Sequence, residues 1–129
     1  MVDYRPLIGL TWQYGVNDCF SLVRRYYELA GVMLPDFERP KMLETSSSIF
    51  IEQAGALGFR EISLEDMRIG DVLIMCLDTA APMHAGIYVG DQQILHQRMH
   101  SLSGVEPLNR YYRMKTAAVF RYAADRKAA

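Results

Sequence analysis

The sequence predicts an α+β fold, with N-terminal helices packed on a C-terminal antiparallel β-sheet. Two observations carry that reading. Between Asn17 and Gly31 apolar residues recur at helical spacing, and a second such stretch ends at Leu57. After Gly70 the pattern changes to short apolar runs bounded by turn residues, as strands require. With 129 residues, 50% of them hydrophobic and 22% charged, the chain is expected to form one domain over 1–129.

Residues 3–16 read as an irregular arm, broken by Pro6, Gly9 and Gly15, from which Leu7, Ile8, Leu10 and Trp12 pack down. Asn17 or Asp18 supplies an N-cap, because a short side-chain oxygen accepts an otherwise orphan backbone N–H. Cys19, Leu22, Val23, Tyr26 and Ala30 then share one helix face, with Arg24, Arg25 and Glu28 elsewhere. Gly31 is a natural stop and Pro35 forbids a restart. Residues 34–44 form a connecting loop. Ser46 to Ser48 offer caps for a second helix through Leu57, with Ile49, Phe50, Gln53, Ala54 and Leu57 inward and Gly58 as its stop. Residues 59–62 read as a short extended segment and 63–67 as a turn or single helical turn. Strands are predicted at 71–76, 85–89, 93–97 and 117–122, and the tail 123–129 is expected to fray.

Composition narrows the function classes. A net charge of −1 and a pI near 6.3 give no global field for nucleic acid or an anionic membrane. The mildly basic last third (Arg98, Arg110, Arg113, Lys115, Arg121, Arg126, Lys127) reads first as a solvated face and second as a weak contact for an anionic polymer. Two cysteines, Cys19 and Cys76, make no disulfide framework, and no Cys/His spacing suggests zinc. The N-terminus lacks a basic n-region and an apolar h-region, so no secretory leader is expected. No apolar run approaches the ~20 residues of a membrane span, so no membrane insertion is expected.

The candidate chemistry starts at Cys19, placed in the first turn of its helix, where the helix N-terminus favours thiolate over thiol. A lone cysteine is more often a small buried apolar residue, and Cys76, at the end of an apolar strand, is read as core. His84 and His96 flank a hairpin whose turn lies near Gly90-Asp91. A three-residue loop, with 89 opposite 93, puts positions 84, 86 and 96 on one face; a two-residue loop puts the histidines on opposite faces. Side by side, His84 is a general base for a thiol and His96 orients it through its other ring nitrogen. Gly86, between them, leaves space for a substrate. His100 reads as a half-exposed loop residue.

The motifs occur in a telling order: Asp18-Cys19 opening an apolar helix, Gly70-Asp71-Val72-Leu73, His84-Ala85-Gly86-Ile87-Tyr88-Val89-Gly90, then His96. That order resembles the NlpC/P60 family of cysteine peptidases. Further likeness to the peptidase domains of phage tail tip proteins runs through Tyr4 to Gly9, Trp12, Gly15, Tyr26-Tyr27, Gly31, Leu34 to Phe37, Ile94-Leu95-His96, Leu102-Ser103 and Tyr111-Tyr112.

The resemblance implies a papain-like α+β fold and a Cys–His–His site that hydrolyses amide bonds in cell-wall peptides, usually next to a D-isoglutamyl residue. Cys19 falls on the nucleophile, His84 on the base and His96 on the orienting residue, while Asp18 is a loop and cap residue. No metal or cofactor is implied. The implied partners are peptidoglycan peptides and other phage tail tip proteins. The implied location is a virion tail, or the cytoplasm for a prophage product. Two stretches depart from the family pattern: Asp18-Cys19-Phe20-Ser21 stands for Asp-Cys-Ser-Gly, and Trp12-Gln13-Tyr14-Gly15 stands where a tyrosine usually serves the oxyanion. Trp12 and Tyr14 are therefore the candidates for that role. A structural tail tip subunit, or a related Cys–His amidase or acyltransferase, are the alternative readings.

Overall fold

The helix that begins at Cys19 lies against the sheet, with its N-terminus beside the start of the strand that carries His84. The computed structural model describes residues 2–37, 49–77, 79 and 81–123. Helix α1 spans Cys19–Leu29. Asp18 caps it in extended backbone, with Oδ1 accepting the Ser21 N–H at 2.9 Å. Its end follows from Gly31, whose φ of +88° suits a residue without Cβ; the Gly31 and Val32 N–H groups bond back to Glu28 and Tyr27. The buried stripe is broader than the spacing predicts. It takes in Phe20, Ser21, Leu22, Val23, Tyr26 and Tyr27, whereas Ala30 is the exposed C-cap. In the arm, Leu7 is buried and Ile8 exposed, and residues 5–7 form a turn of 3-10 helix rather than irregular chain.

Helix α2 spans Ile49–Ala54, three residues short of the predicted end. Leu57 N–H still bonds Gln53 C=O, but the chain then tightens and turns through Gly58 at φ +94°. The caps proposed at Ser46 to Ser48, most of the 34–44 loop and all but the first residue of the 123–129 tail lie outside the described residues.

Among the described residues one sheet runs β1-β6-β2-β3-β4-β5, all neighbours antiparallel. The strands are β1 (Phe59–Ile62), β2 (Val72–Met75), β3 (His84–Gly90), β4 (Gln93–His96), β5 (Gly104–Pro107) and β6 (Thr116–Tyr122). Residues 64–66 make the predicted single helical turn. Alternation along the strands divides the core in two. Val72, Ile74, Ala85, Ile87, Leu95 and Phe120 pack with Phe20, Leu22, Val23, Tyr26 and Tyr27 of α1. Leu73, Met75, Tyr88, Ile94 and Val119 face the other way, with Leu108 and Tyr112. Strand β2 is buried at every position, which is why it reads as a continuous apolar run.

Strand β5 and helix α3 (Arg110–Lys115) are elements that the apolar pattern does not signal. β5 is an edge strand containing Pro107, with no buried residue, so no alternation marks it. α3 buries Tyr112 and depends on Asn109, whose side chain accepts the Tyr112 N–H. Two other readings change. Arg121 is not on a solvated face: it grips the buried Asp71 through Nε at 3.0 Å and Nη2 at 2.8 Å. Cys76 is half-buried rather than core.

Candidate active site

The β3–β4 hairpin decides where the histidines go. Its turn has two residues, Asp91 and Gln92, both left-handed at φ +53° and +58°. A two-residue turn in a regular ladder would separate the histidines. Here Val89 is a bulge: Gly90 pairs with Gln93, but Tyr88 pairs with Ile94 and Gly86 with His96. The extra residue restores the register of a three-residue loop. His84, Gly86 and His96 therefore share one face.

His84 Nε2 lies 2.8 Å from His96 Nδ1, with the rings edge-to-face. Gly86 serves this contact rather than the cleft. It is buried, and a Cβ there would stand 3.3 Å from His96 Cβ, so the room the sequence assigns to a substrate goes to the second histidine. His96 in turn places Nε2 2.8 Å from Glu106 Oε1. The Tyr112 hydroxyl donates to the same carboxylate, 3.2 and 3.3 Å from its two oxygens.

Cys19 approaches from the other side. Its Sγ is 3.8 Å from the carbonyl of Met83, the residue before His84. Both Cys19 and His84 line one cleft of about 230 Å³, together with Trp12, Tyr14, Asp18, Gln97 and Arg98. One cleft wall is the arm bound to the loop after β4. Ser103 Oγ donates to Leu7 C=O and accepts the Leu10 N–H, and Gln97 Nε2 donates to the Leu10 and Ser101 carbonyls. Trp12 rests on His100 with ring centres 4.6 Å apart. Asp18, buried at the helix start, also accepts the Gly15 N–H at 2.8 Å, which fixes the loop carrying Trp12 and Tyr14. Phe20 points into the core against Phe37 and Phe50.

Burial pushes the His84 imidazole well below its usual range, and the neighbouring His96 and Arg98 push the same way. His96 is also lowered by burial, although its hydrogen bond and proximity to Glu106 oppose that and Arg98 adds to it. The pair is thus neutral at neutral pH. A neutral imidazole that shares a cleft with a thiol at a helix N-terminus is of the type that accepts a thiol proton and returns it.

Sequence reasoning missed Glu106, Gln97 and Arg98 as site residues. Glu106 sits on the unsignalled strand β5, while Gln97 and Arg98 follow directly on His96 and carry no motif of their own.

Comparison with known proteins bears on the family and the fold. The NlpC/P60 family pattern matches residues 9–121. Tail tip assembly protein K of Escherichia phage lambda is 33% identical over 124 residues, covering 95% of this chain and 62% of that protein. A probable endopeptidase of Mycobacterium tuberculosis is 32% identical over 88 residues, covering 68% of this chain and 18% of that protein. The chain thus spans only part of the relatives it matches. Among solved structures, an NLP/P60-family protein of Staphylococcus aureus superposes with a TM-score of 0.64 at 21% identity, over 92% of this chain and 38% of that one. NlpC2 of Trichomonas vaginalis gives 0.64 at 19% identity, over 92% and 44%. The fold agrees with these structures and the family pattern extends over nearly the whole sequence; the chain belongs to the NlpC/P60 family.

Proposed function

We propose that this chain is a cysteine endopeptidase that hydrolyses peptidoglycan stem-peptide amide bonds, of the D-isoglutamyl–diamino acid type, as a component of a phage or prophage tail tip. The observation that carries the reading is that Cys19, at the head of α1, opens on the same cleft as His84. Membership of the NlpC/P60 family, a relative named a probable endopeptidase and the lambda tail tip relative support a peptidase in a tail tip setting, and the peptidoglycan bond is part of the proposal.

In the proposed reaction His84 takes the Cys19 thiol proton, and the thiolate attacks the scissile carbonyl carbon. Electrons move onto the carbonyl oxygen, for which the indole N–H of Trp12 and the hydroxyl of Tyr14 are candidate donors. The intermediate collapses, the C–N bond breaks, and His84 protonates the leaving amine. Water then attacks the thioester with His84 as base, releasing the acid and restoring the thiol. No metal or cofactor enters any step. Other proteins of the tail tip are the proposed partners.

The test is digestion of purified sacculi by the protein and by Cys19→Ala, with released fragments identified by mass spectrometry. Fragments cut at the D-isoglutamyl bond are expected from the unmodified protein alone. Equal patterns from both would leave a structural tail tip subunit, the second reading, which the replacement of the usual tyrosine by Trp12 favours.

A further inference from the structure

We propose that Glu106 is a positioning residue that, acting through His96, sets which nitrogen of His84 carries the proton. This rests on the reading of Cys19 as nucleophile and His84 as its base. The geometry starts from register: Glu106 pairs with Ile94 across β4–β5, and Ile94 lies two residues from His96 on the same face. The diagonal between Glu106 and His96 is within reach of a long side chain. The measured contact, 2.8 Å from His96 Nε2 to Glu106 Oε1, is the result.

Proton positions then follow in sequence. An ionised carboxylate accepts hydrogen bonds and cannot donate, so His96 Nε2 must carry the hydrogen. A neutral imidazole has one N–H, which leaves His96 Nδ1 bare. His84 Nε2, 2.8 Å away, must therefore donate to it. The bare nitrogen of His84 is then Nδ1, the one not engaged with His96. That lone pair is the acceptor Cys19 needs. A proton on the wrong nitrogen of His84 would remove the base without moving an atom.

Glu106 is itself held. Tyr112 donates to both carboxylate oxygens, and its ring stands edge-to-face against His96 with centres 5.1 Å apart. The charged and titratable groups about the pair are Cys19 and Arg98 on the cleft side and Glu106 and Tyr112 on the other. Arg98 opposes a proton on either imidazole, and Glu106 favours one. The favourable effect of the carboxylate is on a proton held by His96.

Glu106→Gln is the informative variant. It keeps the shape, but a carboxamide can accept through its oxygen or donate through its nitrogen, so it no longer dictates the chain. The side chain is 49% exposed, so the fold has little to lose. Long-range ¹H–¹⁵N spectra of the labelled protein at pH 7.5 to 8 report imidazole tautomers directly and require no turnover. The expected result is Nε2–H at both histidines in the unmodified chain and an admixture of Nδ1–H in Glu106→Gln. Tyr112→Phe, which frees the carboxylate from its brace, should shift the population the same way by less. Iodoacetamide labelling of Cys19 against pH should move to higher pH in Glu106→Gln, with about a 10- to 100-fold slower rate near pH 6.5, by analogy with loss of the outer partner that orients a metal-bound histidine. Unchanged Nε2–H signals at both rings, or an unchanged labelling profile, would overturn the proposal. Failure of the peptidase reading would instead show as slow labelling in the unmodified protein.

Discussion

Gly86 and His96 face one another across β3 and β4, and a Cβ on Gly86 would stand 3.3 Å from the Cβ of His96. A contact that tight forces the neighbour to yield. Gly86→Ala should therefore displace the His96 ring from His84 and weaken both the 2.8 Å contact between them and that to Glu106. Overpacking a buried site costs about 1–3 kcal/mol. The expected result is a lower urea midpoint together with slower Cys19 labelling. Unchanged labelling would mean that the histidine pair tolerates the added methyl.

Asp18 binds the start of α1 to the loop before it, accepting from Ser21 N–H at 2.9 Å and Gly15 N–H at 2.8 Å. Asp18→Ala loses the helix cap and should cost about 1–2 kcal/mol, read from urea unfolding. Asp18→Asn keeps an acceptor for Ser21 and should recover part of that loss. It should also retain near-normal turnover, because the carboxylate holds backbone and is proposed to do no chemistry. A large loss of kcat in a stable Asp18→Asn protein would give Asp18 a direct part in the reaction.

These residues also show what the sequence can reveal. A cap at Asn17 or Asp18, which the structure settles as Asp18, the stop at Gly31 and the buried strand β2 are legible because each obeys a local rule. The histidine pair is not fully legible. Its register depends on whether the hairpin turn is two or three residues long, and the chain takes a two-residue turn with a compensating bulge at Val89. No local signal distinguishes that bulge from a longer loop. Glu106 was hidden for a different reason: an exposed edge strand with a proline buries nothing, so no hydrophobic alternation marks it. Arg121 reads as surface charge until the fold inserts β6 between β1 and β2 and brings it to Asp71.

The lowered His84 value makes a stability prediction. In the unfolded chain an imidazole takes a proton near the ordinary value of 6.5, whereas in the fold burial delays protonation to lower pH. The unfolded state therefore binds more protons below that point. Stability should be full above about pH 6.5 and decline as pH falls toward the folded-state value, by up to about 1.4 kcal/mol per pH unit for one histidine. His96 adds in the same direction, moderated by Glu106. Urea midpoints between about pH 5 and 7, where carboxylates stay mostly ionised, isolate this effect. His84→Gln should flatten the dependence. An equally steep slope in that variant would assign it to other groups.

Arg121 and Asp71 form a two-pronged ion pair in which the carboxylate is almost wholly buried. Removing the cation alone strands that charge, and Arg121→Ala should cost about 3 kcal/mol. Asp71 also accepts the Arg68 N–H at 2.7 Å, so the carboxylate has a second partner to lose. The double variant Asp71→Ala/Arg121→Ala should be less destabilised than the sum of the two single changes. Additive losses in a double-mutant cycle would show that the pair contributes no coupling.

Trp12 and Tyr14 bound the cleft that holds Cys19, with ring centres 6.2 Å apart. Trp12→Phe and Tyr14→Phe each remove one donor and keep an aromatic ring, including the packing of position 12 on His100. A donor that meets the oxyanion acts mainly in the transition state, so its loss lowers kcat and leaves KM nearly unchanged. One of the two variants is expected to lose about 10²-fold in kcat on a D-isoglutamyl peptide. A rise in KM with kcat intact would make that residue a substrate-binding wall instead. Wild-type kinetics in both would leave the oxyanion to backbone N–H groups at the head of α1, the same place that sets the thiol.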